Sequence, residues 1–202
     1  MRFSKYGFFL LAITSLLVSL PARAEVQSAI FAGGCFWCVE SDFDKIKGVV
    51  GTTSGYISGH VDNPTYKQVS RGGTGHTEAV KIDFDPAQIG YRELVDYFWR
   101  TIDPTVKNRQ FCDHGDQYRT GIFYLDDAQH QAVLASKKAI EKDKPFKEPI
   151  VTEITPATKF YPAEEYHQDY HNKNPVRYKY YRWNCGRDQR LAELWGGDAV
   201  MK

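Results

Sequence analysis

Apolar residues cluster or alternate at short spacing over Ser28–Ala32, Val49–Ser58 and His76–Asp85, a pattern that predicts three strands. Cys35–Ile46 reads as a helix between the first two, with Gly48 as the break before the second strand. Pro64–Ser70 predicts a short helix, and Asp85-Pro86 closes the third strand. Over Tyr91–Ile102, Leu94, Val95, Phe98, Trp99 and Ile102 recur at helical spacing and give one buried face. A loop rich in Asp, Asn and Gly follows, then a strand at Gly121–Leu125 and a helix from Asp127, as its cap, through Lys142. Ile150–Thr155 predicts a further strand and Ala163–Asn172 a last helix. This order places the chain in the α+β class, as a two-layer α/β sandwich with a ferredoxin-like βαββαβ core and extra helices. After Pro175 the pattern loses its period, and a long irregular C-terminal tail is expected to wrap the domain.

The N-terminus stands apart from this pattern. Arg2 and Lys5 precede an apolar run from Gly7 to Leu20, and Ala22-Arg23-Ala24 has the small-x-small form of a signal-peptidase site. The run is about 14 residues against the roughly 20 needed to span a bilayer, which favours a cleaved signal peptide over a membrane anchor. Residues 1–24 are therefore expected to be removed, and the mature chain, 25–202, to be exported, periplasmic or secreted, without stable membrane association. Loss of Arg2, Lys5 and Arg23 takes the formal charge from +1 to −2, which gives no general attraction to nucleic acid. The remaining ~178 residues suffice for one domain with its own core, and a monomer is the default expectation.

Export changes how the four cysteines are read. Cys35, Cys38, Cys112 and Cys185 are too few for a disulfide-built scaffold in a chain of this size, so they point to chemistry. In Gly33-Gly34-Cys35-Phe36-Trp37-Cys38-Val39-Glu40, glycines precede a thiol at a helix start, where backbone N–H groups favour a thiolate. Phe36 and Trp37 add an apolar wall, which implies a substrate whose reacting end is uncharged. On the strand Thr77–Phe84, Glu78 falls in phase with Val80, Ile82 and Phe84. A carboxyl on that face is desolvated, its pKa rises, and it keeps a proton to donate near neutral pH. A strand-end Glu78 that reaches water is the equal alternative from the strand alone. Asn63-Pro64-Thr65-Tyr66 delivers a tyrosine at a helix start, and Cys112 to Arg119 crowds ionisable groups into one loop.

Gly34-Cys35-Phe36-Trp37, Gly55-Tyr56, Asn63 to Tyr66, Thr74 to Val80, Asp113 to Arg119 and Tyr166 to Tyr170 occur in the order seen in A-type peptide methionine sulfoxide reductases. The chain resembles that family over nearly its whole mature length. The resemblance implies that Cys35 attacks the sulfur of methionine sulfoxide, in a protein, a peptide or the free amino acid, releases methionine and becomes a sulfenic acid. Glu78 would protonate the sulfoxide oxygen, Tyr66 and Tyr118 would hydrogen-bond it, Asp113 would lie close by, and Phe36 and Trp37 would hold the substrate methyl group. The S-epimer is the implied substrate, and no cofactor is expected beyond an external thioredoxin-like or dithiol reductant.

A sulfenic acid needs a second thiol to form a disulfide. Cys38, at C-x-x-C spacing, ranks first for that role, Cys185 in the tail second and Cys112 third, with a relay through two of them also open. Two rival classes remain. Cys35 and Cys38 could form a thiol-disulfide exchange centre, although that role gives Glu78, Tyr66 and Tyr118 nothing to do. A zinc site could draw on Cys35, Cys38, Cys112, His114 and Cys185, but a single close cysteine pair is present, and no metal is expected. His167 and His171, one helical turn apart, read as surface or supporting polar groups. Arg177-Tyr178-Lys179-Tyr180-Tyr181-Arg182-Trp183 reads as an aromatic strap with its charges outward.

Overall fold

The computed structural model describes residues 25–197. The predicted signal segment lies outside the described residues. The chain runs β1 (Gln27–Gly33), α1 (Phe36–Phe43), β2 (Val49–Ile57), α2 (Tyr66–Ser70), β3 (Thr77–Phe84), α3 (Tyr91–Arg100), β4 (Arg109–Gln110), β5 (Asp113–His114), β6 (Thr120–Tyr124), α4 (Asp127–Asp143), β7 (Glu153–Pro156), β8 (Tyr161–Pro162), α5 (Tyr170–Lys173), α6 (Pro175–Asn184) and α7 (Arg187–Trp195). Short 3₁₀ turns cover Asp116–Tyr118 and Glu165–His167.

The main sheet has the order β7-β6-β1-β3-β2-β8. Its four central strands, β6-β1-β3-β2, pair antiparallel throughout, so each helical crossover skips one strand, as a βαββαβ core requires. β7 adds in parallel to β6, and β8 adds to the far edge of β2. Period-two alternation divides the strands between two apolar clusters. Phe31, Val80, Ile82, Phe84 and Ile122 face α1, α3 and α4, where Phe43, Leu94, Phe98, Trp99 and Val133 complete the larger core. Ile30, Ala32, Ile57, Ala79 and Phe123 face the other way, under Ala157 and Phe160. Among the described residues no helix is long and apolar enough to cross a membrane.

Three expectations are corrected. The cap of α4 is Asp126, whose carboxylate accepts the Gln129 N–H at 2.8 Å, one residue before the predicted position. The helix expected over Ala163–Asn172 is broken into a 3₁₀ turn and the short α5. Gln168 turns its amide onto Ser54, accepting from the Ser54 N–H and donating to the Ser54 carbonyl, both at 2.9 Å. Asp169 then adopts φ 56° while Glu40 takes its N–H at 3.0 Å, and these long-range bonds win over helix continuation.

The tail expected to be irregular is two helices. Pro175 starts α6 at a position that needs no N–H, Gly186 (φ 65°) turns the chain, and α7 follows. Arg187, 2% exposed, pins this corner by donating to the carbonyls of Gly33 at 3.2 Å and Thr101 at 2.7 Å. The Trp195 indole donates to the Ile102 carbonyl at 3.1 Å and anchors the far end of α7.

Candidate active site

The turn between β1 and α1 sets the position of Cys35. Gly34 has φ +81°, and a Cβ there would stand 2.5 Å from the Gln110 Cβ, so a side chain is excluded by both backbone and neighbour. Gln110 is itself fixed, accepting from the Asp103 N–H at 2.9 Å and donating to the Asp103 carbonyl at 2.6 Å. Cys35 is the N-cap residue of α1 and is 6% exposed.

Glu78 comes from β3, opposite Tyr56 of β2, and is 2% exposed on the helix-covered face. Its Oε2 accepts the Phe36 N–H at 3.0 Å. Burial pushes its pKa up to about 8, against the opposing effect of that hydrogen bond, with the Asp113 carboxylate adding to the rise. The N–H offered at the start of α1 is thus taken by Glu78 rather than left for a Cys35 thiolate. Burial accordingly holds the Cys35 thiol well above its ordinary range, and the adjoining Cys38 side chain and the carboxylates of Glu78 and Asp113 act in the same direction. Cys38 is lowered, because it is hydrogen-bonded to Cys35 and faces the cations Arg187 and Arg182, against its own burial. The resting site therefore holds a protonated nucleophile beside a protonated acid.

Tyr66 opens α2, where Thr65 and Gln68 form a reciprocal cap and Glu164 accepts the Tyr66 N–H at 2.8 Å. Tyr118 ends the 3₁₀ turn that follows β5. Burial and the charge of Glu78 raise the pKa of both phenols, so each remains an O–H donor. Asp113 accepts the Tyr181 O–H at 2.5 Å, and its own pKa is raised by burial despite that bond. The Trp37 ring stacks on Tyr170 at 3.8 Å between centroids and 6° between planes. Its indole N–H donates to His167 Nδ1 at 3.0 Å. Burial holds the pKa of His167 down to about 4, so the ring is neutral and able to accept.

All seven sequence-predicted groups, Cys35, Phe36, Trp37, Tyr66, Glu78, Asp113 and Tyr118, line one cavity of about 270 Å³. Arg177 and Tyr181 complete its wall, and sequence reasoning gave neither a place there. His167 is 2% exposed, not a surface group, and it and Tyr170 belong to the tract Tyr166 to Tyr170 that carried the resemblance without assigned roles. His171 lies apart, with Nε2 3.5 Å from the Asp44 carboxylate.

The cysteines divide into two pairs. Cys35 and Cys38 are free and buried, while Cys112 and Cys185 are joined in a disulfide with their Cα atoms 4.8 Å apart. Two of the ligands that a zinc site would need are therefore spent on each other. The disulfide stands beside the cavity wall: Cys112 precedes Asp113, and Cys185 follows Tyr181 by one helical turn, its N–H bonded to the Tyr181 carbonyl at 2.9 Å.

Comparison with known proteins places this geometry. Residues 27–199 match the family model described as peptide methionine sulfoxide reductase. The chain is similar to peptide methionine sulfoxide reductase MsrA 2 of Rhizobium meliloti, with 49% identity over 96% of this chain and 94% of that one. It is 46% identical to the MsrA/MsrB protein of Vibrio cholerae over 98% of its own length, which spans 55% of that longer relative. Among solved structures, reduced Mxr1 from Saccharomyces cerevisiae aligns with a TM-score of 0.70 and 36% identity, covering 77% of this chain and 88% of that one. Mxr1 in complex with Trx2 aligns with a TM-score of 0.52 and 25% identity, over 76% and 91% of the two chains. With a buried thiol, a raised-pKa carboxyl and two phenols around one cavity, and a family model matched over nearly all described residues, the chain belongs to the peptide methionine sulfoxide reductase family.

Proposed function

We propose that the protein reduces methionine S-sulfoxide, in peptides and oxidised proteins or as the free amino acid, with Cys35 as nucleophile and Glu78 as acid. The observation that carries this reading is the shared cavity in which the Cys35 thiol faces a carboxyl that is still largely protonated at pH 7. Phe36 and the fixed Trp37 indole receive the substrate methyl group. Tyr66 and Tyr118 donate to the sulfoxide oxygen, and Glu78 protonates it as the Cys35 sulfur attacks. The thiol proton returns to Glu78, methionine leaves, and Cys35 holds the oxygen as a sulfenic acid, so no net proton is consumed. Asp113, held by Tyr181, tunes the neighbouring donors.

Cys38 resolves the sulfenic acid. Its thiolate displaces the oxygen as water, using a proton from Glu78, and a Cys35–Cys38 disulfide forms. Its contact with Cys35 and the cations facing it support that role. With Cys112 and Cys185 as thiols, exchange then returns Cys35 and Cys38 to the reduced state and leaves a Cys112–Cys185 disulfide. A thioredoxin-type dithiol opens this outer disulfide, a step supported by the Mxr1–Trx2 complex of a relative. Export of the mature chain to an oxidising compartment, as a monomer, completes the proposal. It is tested by fractionation with mass determination of the mature N-terminus near Glu25, and by gel filtration.

The chemical assignment is tested by rapid mixing with acetylated methionine S-sulfoxide in the absence of reductant. Cys35→Ser should release no methionine, and Glu78→Ala should slow methionine release by about 100-fold or more. Near-normal release by either variant overturns the assignment. Trapping the oxidised forms of each Cys→Ser variant and mapping their disulfides by peptide mass spectrometry tests the order of exchange.

A further inference from the structure

Among the described residues that line the active-site cavity, Arg177 alone carries a positive charge. It stands in the first turn of α6, two residues after Pro175, and is exposed. That is the unfavourable end of a helix for a cation, because the free N–H groups there make the end positive and favour acidic residues. Nothing nearby offsets the mismatch. The α6 sequence, Pro175–Asn184, holds no Asp or Glu, and among the described residues Arg177 forms no ion pair, hydrogen bond or ring contact. Arg182, further along the same helix, shows the usual alternative, with pairs to Asp42 at 3.0 Å and Asp188 at 2.6 Å.

The acids of the cavity do not serve Arg177 either. Glu78 is largely protonated at neutral pH and accepts the Phe36 N–H, and the Asp113 carboxylate is taken by the Tyr181 O–H. Arg177 thus brings to the wall a charge that neither packs the fold nor holds the reacting groups. The cavity measures about 270 Å³, below the roughly 300–1,000 Å³ of pockets that enclose a whole small molecule. It takes the sulfoxide side chain and leaves the main chain of the substrate at its mouth. An arginine that is both exposed and part of the wall meets that main chain. A carboxylate there belongs to the sulfoxide residue itself, when its α-carboxyl is free, or to the next residue, whose Cα is about 3.8 Å away. The guanidinium fork matches a carboxylate with two parallel N–H···O bonds, and it repels a cationic neighbour.

We propose that Arg177 is a specificity-determining residue that selects methionine sulfoxide with a carboxylate beside it, either the free α-carboxylate of that residue or the side chain of an adjacent Asp or Glu. The inference rests on the reading of the protein as a sulfoxide reductase. Arg177 acts on binding, not on the transfer of oxygen or protons.

The test measures kcat/KM on matched S-sulfoxide substrates with dithiothreitol as reductant. One pair is acetylated methionine sulfoxide with its carboxyl free or as the methylamide. The others are tripeptides blocked at both ends, with Glu, Gln or Lys directly before or after the sulfoxide. Wild type should favour the carboxylate member of at least one pair about fivefold, the upper range for a solvent-exposed ion pair, and should disfavour Lys. The pair that shows the preference tells the α-carboxylate from the side chain. In Arg177→Gln the ratio should fall to about 1, in Arg177→Glu it should invert in favour of Lys, and Arg177→Lys should restore a preference of about twofold or more. Lys179→Gln, which removes a cation of the same helix outside the cavity, should keep the wild-type ratio. Equal rates for every pair in wild type overturn the proposal, as does a preference that survives Arg177→Gln or is lost in Lys179→Gln. Each result is a ratio within one protein, so a poorly folded variant changes both members of a pair alike. If wild type reduces none of these substrates, the sulfoxide reading itself fails; if it reduces them all at one rate, the role of Arg177 alone fails.

Discussion

Holding Glu78 protonated near neutral pH must cost the folded protein stability, and Glu78→Gln measures how much. An ordinary glutamate titrates near 4.5, and Glu78 is pushed up to about 8 by burial. Its folded-state pKa is above the unfolded one, so its contribution is fully present below pH 4.5 and is lost as pH rises through 8. Integrating between pH 5 and pH 8, at about 1.4 kcal/mol per pH unit where only the unfolded state is ionised, gives a loss of roughly 3 to 4 kcal/mol. Gln has nearly the same shape, accepts the Phe36 N–H through its amide oxygen, and does not titrate. Urea unfolding of both proteins across this range should therefore give curves that diverge, with Glu78→Gln gaining about 3 kcal/mol or more on wild type by pH 8. Groups that do not interact with Glu78 titrate alike in the two proteins and cancel in the difference. Parallel curves, agreeing within about 0.5 kcal/mol at every pH, would falsify the account of Glu78 as a desolvated acid. Acid function and stability then trade against each other at one side chain.

The same acid sets a pH limit on the chemistry: single-turnover methionine release should be flat up to about pH 7, reach half its value near pH 8 and keep falling as Glu78 ionises, and an unchanged rate at pH 10 would contradict that role. Tyr66→Phe and Tyr118→Phe should each slow methionine release in rapid mixing by roughly 10- to 100-fold, with the double variant slower still. His167→Phe removes the acceptor for the Trp37 indole and should raise the sulfoxide KM about fivefold, near 1 kcal/mol, while His167→Asn, which keeps an acceptor close to Nδ1, restores it. Arg187→Met leaves the buried Asp42 with fewer cations and frees the carbonyls of Gly33 and Thr101. It should lower stability by about 3 kcal/mol in urea titration.

The parts of this molecule legible in one dimension are those whose cause is local. The period-two runs of β1, β2 and β3 and the stripe Leu94, Val95, Phe98, Trp99 of α3 bury the faces their spacing implies. Strand phase alone leaves Glu78 between two readings, which only the family resemblance decides, because it says which face a residue takes but not whether α1 will close over it; the Phe36 N–H does so from a distant part of the chain. α6 was hidden because its inner face is built from Tyr178, Tyr181, Arg182 and Cys185, whose aromatic, charged and sulfur groups give no hydrophobic period. Its signal was punctuation, Pro175 at the start and Gly186 at the end. The break after His167 had no local cause at all, since Gln168 and Asp169 answer to Ser54 and Glu40. Tyr181, His167 and Arg187 act through partners 68 to 154 residues away, a separation that spacing rules do not span.

The bond from Arg187 to the Gly33 carbonyl joins β1 to α7 across 154 residues. In a chain made from its N-terminus, the turn that carries the nucleophile is among the first segments to emerge and among the last to be finished. Until α7 has docked, the Gly33 carbonyl lacks this donor. A nascent or truncated chain would therefore carry Cys35 and Cys38 without the cavity that makes them selective for a sulfoxide. Removing α7 thus takes a support from the reactive turn that lies at the other end of the described residues.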